Sequence, residues 1–225
     1  MVDLKVKEWD ESYRNSGNYL FYPHEEIIRF VNGYVVKKTG IDTYKRIMKA
    51  PVMLDVGCGI GRHVLYGLEN NIDSYGFDLS VEAIKYAKEW AQSKGEPDAE
   101  RRFKVADIRS LPWDNGAFNV AISHGVLDSM PLEIAREGVV EIHRVTSENA
   151  LFYCDLIADS KEGKNAEEIV TGDHEKGTVQ SYFNEDKINK LFEGCFAVQE
   201  MILVNRVNIG NAKINSRYHL ILTRI

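Results

Sequence analysis

Short unbroken apolar runs alternate along the chain with stretches in which apolar residues recur every three or four positions. The first kind of pattern reads as buried strand and the second as amphipathic helix. Pro51 to Val56 is an apolar run that ends in glycines, and a helix is expected from about Gly61 to Asn70. Asp73 to Phe77 predicts a second strand, closed by Asp78. Ser80 is placed to cap the next helix, with Glu82 near its positive end. Ile84, Ala87 and Ala91 form that helix's inner stripe, and Lys94-Gly95-Glu96-Pro97 stops it. Phe103 to Ala106, closed by Asp107, and Phe118 to Ser123 are the third and fourth strands. Leu132, Ala135, Val139, Ile142 and Val145 then repeat at helical spacing, and Ala150 to Leu156 is a fifth strand. A short helix over Asn184 to Phe192, stopped by Gly194, precedes two last strands, Phe196 to Val204 and Tyr218 to Thr223. Near the start, Pro23 introduces a helical pattern in which Ile27, Phe30, Val31, Tyr34 and Val35 should share one buried face.

Strands alternating with helices in this order call for an α/β fold: a doubly wound, mostly parallel sheet with helices on both faces. The chain has 225 residues, 44% of them hydrophobic and 28% charged, which allows a substantial core without disulfides. A formal net charge of -6 speaks against a protein that wraps nucleic acid, since phosphate binding shows as a basic surplus. Cys58, Cys154 and Cys195 match no metal or redox spacing and read as reduced thiols. The N-terminus carries no apolar signal region and no 18-residue apolar run occurs, so a cytoplasmic protein without a membrane span is expected.

The sharpest chemical signal is Leu54-Asp55-Val56-Gly57-Cys58-Gly59-Ile60-Gly61, a strand that runs into a glycine turn and then a helix. Gly57 and Gly59 let a ligand approach the backbone, and the helix start suits an anionic group, either a pyrophosphate or an amino acid carboxylate. The dinucleotide fingerprint G-x-G-x-x-G would need a third glycine where Arg62 stands. Asp55 would repel a pyrophosphate and suit a ligand ammonium, directly or through water. Asp78 lies about twenty residues after Gly57, where a carboxylate accepts from ribose hydroxyls. Asp107 ends the third strand, where a carboxylate would accept from an adenine amino group. The three aspartates together describe a nucleoside joined to an amino acid.

These residues resemble the motifs of the class I S-adenosylmethionine-dependent methyltransferases. Asp55 to Gly61 is similar to their first motif, Gly76-Phe77-Asp78-Leu79-Ser80 to the ribose motif, and Ala106-Asp107-Ile108 with Leu111-Pro112 to the adenine motif. Phe118 to Leu127 resembles the fourth motif, and Trp9-Asp10-Glu11-Ser12-Tyr13 a segment whose Tyr helps cover the cofactor. The resemblance implies a Rossmann-like sheet of seven strands with a reversed last strand and an N-terminal helical lid. It implies S-adenosylmethionine as cofactor, held by Tyr13, Asp55, Gly57, Cys58, Gly59, Asp78, Leu79, Asp107, Ile108 and His124. One domain is expected over 1–225, with a lid and helix at 1–45, a cofactor-binding core at 50–156, a substrate-side insertion at 157–183 and a C-terminal helix and strands at 184–225. Asn119 departs from the pattern, since many relatives carry Asp there, and a His pair common near Asp128-Ser129 is missing.

Methyl transfer is an in-line displacement in which the enzyme aligns nucleophile, methyl carbon and leaving sulfur. A neutral nucleophile needs a base for its proton. His124, just after the fourth strand, is the first candidate, with Asp128, His174 and Tyr182 behind it. Simpler roles compete: His124 as a polar strand end, Asp78 as a helix cap, Asp107 as a turn residue, Arg62 as solvated surface, and His63 and His143 as packing residues. Tyr13, Tyr19, Phe21 and Tyr22 suit either core packing or a wall around the cofactor. His24, His174 and His219 share no ligand spacing, so no metal is expected. A small-molecule acceptor, such as a sugar or another metabolite, is the expected partner. No Asn-Pro-Pro-aromatic, Asp-Pro-Pro-aromatic or Pro-Cys sequence points to a nucleic-acid enzyme. A tRNA or protein acceptor, or a cofactor binder without activity, remains an alternative, while the missing third glycine and Asp55 weigh against an NAD(P) oxidoreductase. The residues carry no code for the acceptor, for the atom methylated or for the oligomeric state.

Overall fold

The structure is a computed structural model that describes residues 5–15, 18–159, 167–172, 175–211 and 214–225. Its centre is one seven-stranded sheet built from β1 (Val52–Val56), β2 (Asp73–Asp78), β3 (Phe103–Val105), β4 (Phe118–Ser123), β5 (Thr146–Ile157), β6 (Phe196–Val207) and β7 (Ile214–Arg224). The spatial order is β6-β7-β5-β4-β1-β2-β3. The five strands from β5 to β3 are mutually parallel, and β7 runs antiparallel to both β5 and β6. The expected Rossmann-like sheet with a reversed last strand is therefore present.

Alternation on the central strands sorts side chains to two faces, as the two-residue period of a strand requires. Leu54 and Val56 of β1, Ala121 of β4 and Phe152, Cys154 and Leu156 of β5 belong to one core. It is completed by α5 (Leu132–Val145), through Ile134, Ala135, Val139 and Ile142, and by α6 (Glu185–Phe192), through Ile188 and Leu191. Met53, Val120, Ile122 and Tyr153 point the other way, onto Ile27 and Phe30 of α2 (Glu25–Phe30). Further along that face lie α3 (Arg62–Glu69) and α4 (Val81–Ser93), whose Ala83, Ala87 and Ala91 are small enough for close packing. Ser80 Oγ accepts from the Ala83 N–H at 3.1 Å, the cap expected for α4.

One reading from periodicity changes. Tyr34 is 37% exposed and does not share the buried face of Ile27, Phe30, Val31 and Val35. After Phe30 the chain forms a π turn over Val31–Val35, and the wider turn rotates Tyr34 away from the stripe. The charged stretch after β5 contains a two-stranded ribbon, Glu167–Ile169 against Val179–Ser181. Asp173 and His174, which lie within it, fall outside the described residues. A second small ribbon, Val36–Lys38 with Tyr44–Arg46, follows the π turn. Near the chain start, α1 (Val6–Arg14) buries Tyr13. Among the described residues no helix is long and apolar enough to cross a membrane.

Candidate active site

The strand order reverses between β1 and β4, the position at which open α/β sheets bind ligands. Val56 pairs with Ser123, so Gly57 and His124 step off neighbouring strands side by side. Gly57 has φ +63° and Gly59 φ +53°, left-handed conformations that side chains rarely adopt. The space beside both is also taken. A Cβ on Gly57 would stand 2.6 Å from Val126 Cγ2, and one on Gly59 2.6 Å from the Tyr13 hydroxyl. The Gly59 N–H donates to Asp78 Oδ2 and the Ser80 N–H to Asp78 Oδ1, both at 2.9 Å. Burial pushes the Asp78 carboxyl up to about 6, Asp55 adds to the rise, and these backbone donors oppose it.

The turn opens into a cavity lined by Tyr13, Gly57, Cys58, Gly59, Asp78, Leu79, Ile108 and His124, all of them residues expected from the sequence. Two expected residues do not line it. Asp55 is 1% exposed, and its Oδ2 lies 3.5 Å from His63 Nδ1 with no hydrogen-bond partner among the described residues. It stands behind His63, which does line the cavity. The carboxylate of Asp107 is taken up by the Arg109 guanidinium, at 2.6 Å for Nη2 to Oδ2, and only its neighbours Ala106 and Ile108 face the cavity. Burial works against Asp107 ionising, but the bonds from Arg109 prevail and hold its carboxyl below the usual range. Arg62 is not merely solvated surface: it lines the cavity and donates to the Tyr22 carbonyl at 3.1 Å.

Across the cavity a second cluster forms around Asp155, fully buried on β5. Its Oδ2 meets His124 Nδ1 in a short hydrogen bond, and its Oδ1 accepts from the Gly125 N–H at 2.8 Å. Arg217 pairs with Ile157 across β7 and β5, which brings its guanidinium to Asp128 in a close ion pair and to within 3.5 Å of Asp155. Burial alone would raise the Asp155 carboxyl, but the bond from His124 and the Arg217 charge hold it well below the usual range. Asp128, also fully buried, moves the other way because burial outweighs Arg217. The ring of His24 stacks on that of His124 with centroids 4.0 Å apart, and His63 and His219 stand close by. Burial and the neighbouring His124 push His24 down to about 3.

His24, His124 and Asp155 bring possible ligand atoms within 4.8 Å of one another, a grouping that sequence spacing does not suggest. The bonding differs from that of a metal centre. His24 Nδ1 accepts from the Glu26 N–H at 3.3 Å, so the neutral ring carries its proton on Nε2. The two rings are stacked at 28°, so their in-plane lone pairs run side by side and do not converge.

Residues 47–193 match the sequence profile of the methyltransferase domain. The chain belongs to this family. A 2-heptyl-1-hydroxyquinolin-4(1H)-one methyltransferase from Mycobacteroides abscessus is 36% identical over 86 residues, which are 38% of this chain and 37% of that enzyme. The match thus spans little more than a third of the relative's length. A SAM-dependent methyltransferase from Methanosarcina mazei shares the fold with TM-score 0.67 at 19% identity, over 79% of this chain and 94% of that one. The 1,6-didemethyltoxoflavin-N1-methyltransferase of Burkholderia thailandensis, solved with its acceptor and S-adenosylhomocysteine bound, gives TM-score 0.68 at 16% identity over 98% and 87% of the two chains.

Several residues of this methyltransferase domain gain a place that the sequence did not announce. Asp155 carries the one signal that was available, a carboxylate near the end of a buried strand, as at positions 55, 78 and 107. His24 and Arg217 carry none, since the first has no histidine at ligand spacing and the second lies just before the last predicted strand. Tyr182 bonds Gln180 and His143 contacts the Ile225 carbonyl. Neither lines the cavity. Asn119 lies at the opposite end of β4, where its amide accepts from the Val52 N–H at 2.8 Å and donates to the Ala50 carbonyl at 3.1 Å. Of the four aromatic residues near the chain start, Tyr13 lines the cavity and Tyr19 and Phe21 pack on Tyr86. Tyr22 is exposed.

Proposed function

We propose that this chain binds S-adenosylmethionine in the cavity beside the glycine turn and directs its methyl group to a small-molecule acceptor. The observation that carries this reading is the cavity at the Gly57–Gly59 turn, closed by the buried carboxylate of Asp78. The donor set fits the cofactor. Each Asp78 oxygen keeps a lone pair for a ribose hydroxyl beside the N–H bond it already accepts. Ala106 and Ile108 offer an apolar wall for an adenine, and Arg62 a cation for the ligand carboxylate. Tyr13 and Trp9 of α1 stand at the same cavity, which supports a lid role for the N-terminal segment within a single domain.

S-adenosylmethionine, when bound, supplies an electrophilic methyl carbon on a sulfonium. The chain's own contribution lies in orientation and proton handling. Asp155 fixes the His124 ring with Nδ1–H toward itself, which leaves Nε2 as a base for a proton on the acceptor. The acceptors of the Mycobacteroides and Burkholderia enzymes are small heteroaromatic molecules, and the acidic net charge of -6 suits such an acceptor better than a nucleic acid.

Calorimetric titration with S-adenosylmethionine, S-adenosylhomocysteine and NAD tests the cofactor. Binding of both adenosyl compounds, weakened about tenfold or more by Asp78→Ala, and none of NAD is the expected result. Binding of NAD alone would overturn it.

A further inference from the structure

The two edges of the sheet are unlike. The β3 edge is three residues long, Phe103–Val105, too short to template another strand. The β6 edge runs for twelve, Phe196–Val207. Its only irregularity is a register shift between Val198 and Glu200, so the segment from Glu200 to Val207 pairs regularly with β7 and offers its other side. That segment has none of the usual guards of an edge: no proline, no lysine, and only two charges, Glu200 and Arg206, of opposite sign. Between them Ile202 and Leu203 are 46% and 47% exposed.

The order of residues on this edge is self-complementary. If a second copy lies antiparallel with Leu203 opposite Leu203, then Ile202 faces Val204 and Glu200 faces Arg206, once on each side of the two-fold axis. Each pair also shares a face of the joined sheet, because a strand's side chains alternate and every pair here has the same parity. Glu200 is already held on its face, accepting from the Tyr34 hydroxyl at 3.0 Å. A shift of one residue either way sets even positions against odd ones and removes both charge pairs. A two-fold interface requires such self-matching, and an edge that binds an unrelated strand has no need of it.

We propose that the chain forms a homodimer by antiparallel pairing of β6 with β6 of a second copy, centred on Leu203, so that the two sheets become continuous. The contact is flanked by two Glu200–Arg206 ion pairs. It leaves the cavity beside Gly57 untouched, so its success or failure is separate from the proposed function.

Sedimentation velocity of the full chain over a range of concentrations tests this. The expected species has twice the 25.6 kDa chain mass. Leu203→Arg should abolish it by facing two cations across the axis. Arg206→Glu or Glu200→Arg alone should weaken dimerisation about tenfold or more, because each sets like charges opposite one another twice. The double exchange Glu200→Arg with Arg206→Glu should restore it. Thermal unfolding of each variant separates loss of pairing from loss of fold. A chain that stays monomeric at every concentration, a dimer indifferent to these substitutions, or a double exchange that restores nothing would overturn the proposal.

Discussion

The two halves of the cavity are made in different ways. On the side of β1 and β2 the wall comes from consecutive residues: Gly57, Cys58 and Gly59 form one turn, and Asp78 and Leu79 end the next strand. On the other side the wall includes His63 and His124, and the residues that hold His124 are scattered over the chain. His24, Asp155 and Arg217 gather around it only because the sheet orders its strands as it does. The first half is a backbone site, shaped by a main-chain turn with no room for Cβ atoms at Gly57 and Gly59. The second is a side-chain site, in which buried charges hold one imidazole. A backbone site tolerates no added atoms, whereas a side-chain site is sensitive to any change of charge.

Substitutions can test that contrast. The largest effect is expected from Gly59→Val, which adds a side chain at φ +53° where the Tyr13 hydroxyl already stands. Binding of S-adenosylmethionine should fall about a hundredfold, read by calorimetry. Wild-type affinity would show that the turn is not the recognition element. Asp155→Ala should leave that binding within a few-fold but destabilise the protein by about 3 kcal/mol, because His124 and Arg217 lose a buried partner. Urea unfolding beside a binding titration separates the two outcomes. Equal damage to both would mean that the two halves are one unit.

Acid should pull the halves in opposite directions. Asp78 sits at about 6 in the fold against 3.8 unfolded, so the folded chain takes up its proton first. Its contribution is complete below 3.8 and is lost as pH rises through 6. His24 sits at about 3 against 6.5, so the unfolded chain takes up its proton first. Stability from that group is complete above 6.5 and is lost as pH falls toward 3. Between about pH 6.5 and 4, Tm of Asp78→Asn should therefore fall more steeply with acid than that of the parent, and Tm of His24→Phe less steeply. Parallel curves would remove either group from the balance. The smallest effect is expected for His24→Ala at neutral pH, about 1 kcal/mol, from loss of the cap on Glu26 N–H and of the stack on His124.

The sheet was legible in the sequence because its central strands are apolar runs bounded by glycine or aspartate. Phe118–Ser123 and Leu132–Val145 fall where periodicity puts them. The elements that were not legible are those without a period. The ribbon of Val36–Lys38 with Tyr44–Arg46 exposes most of its residues, and the π turn at Val31–Val35 keeps a helical pattern while altering the turn.

For the site, the sequence by itself determined the glycine turn and the carboxylate at the end of the second strand, because both act through local backbone geometry that a few adjacent residues specify. Only the tertiary structure decided that Asp55 would stand behind His63 and that His24 would lie against His124. Those outcomes depend on which strands become neighbours and on which charges must find partners once water is excluded. No spacing along the chain records either of these.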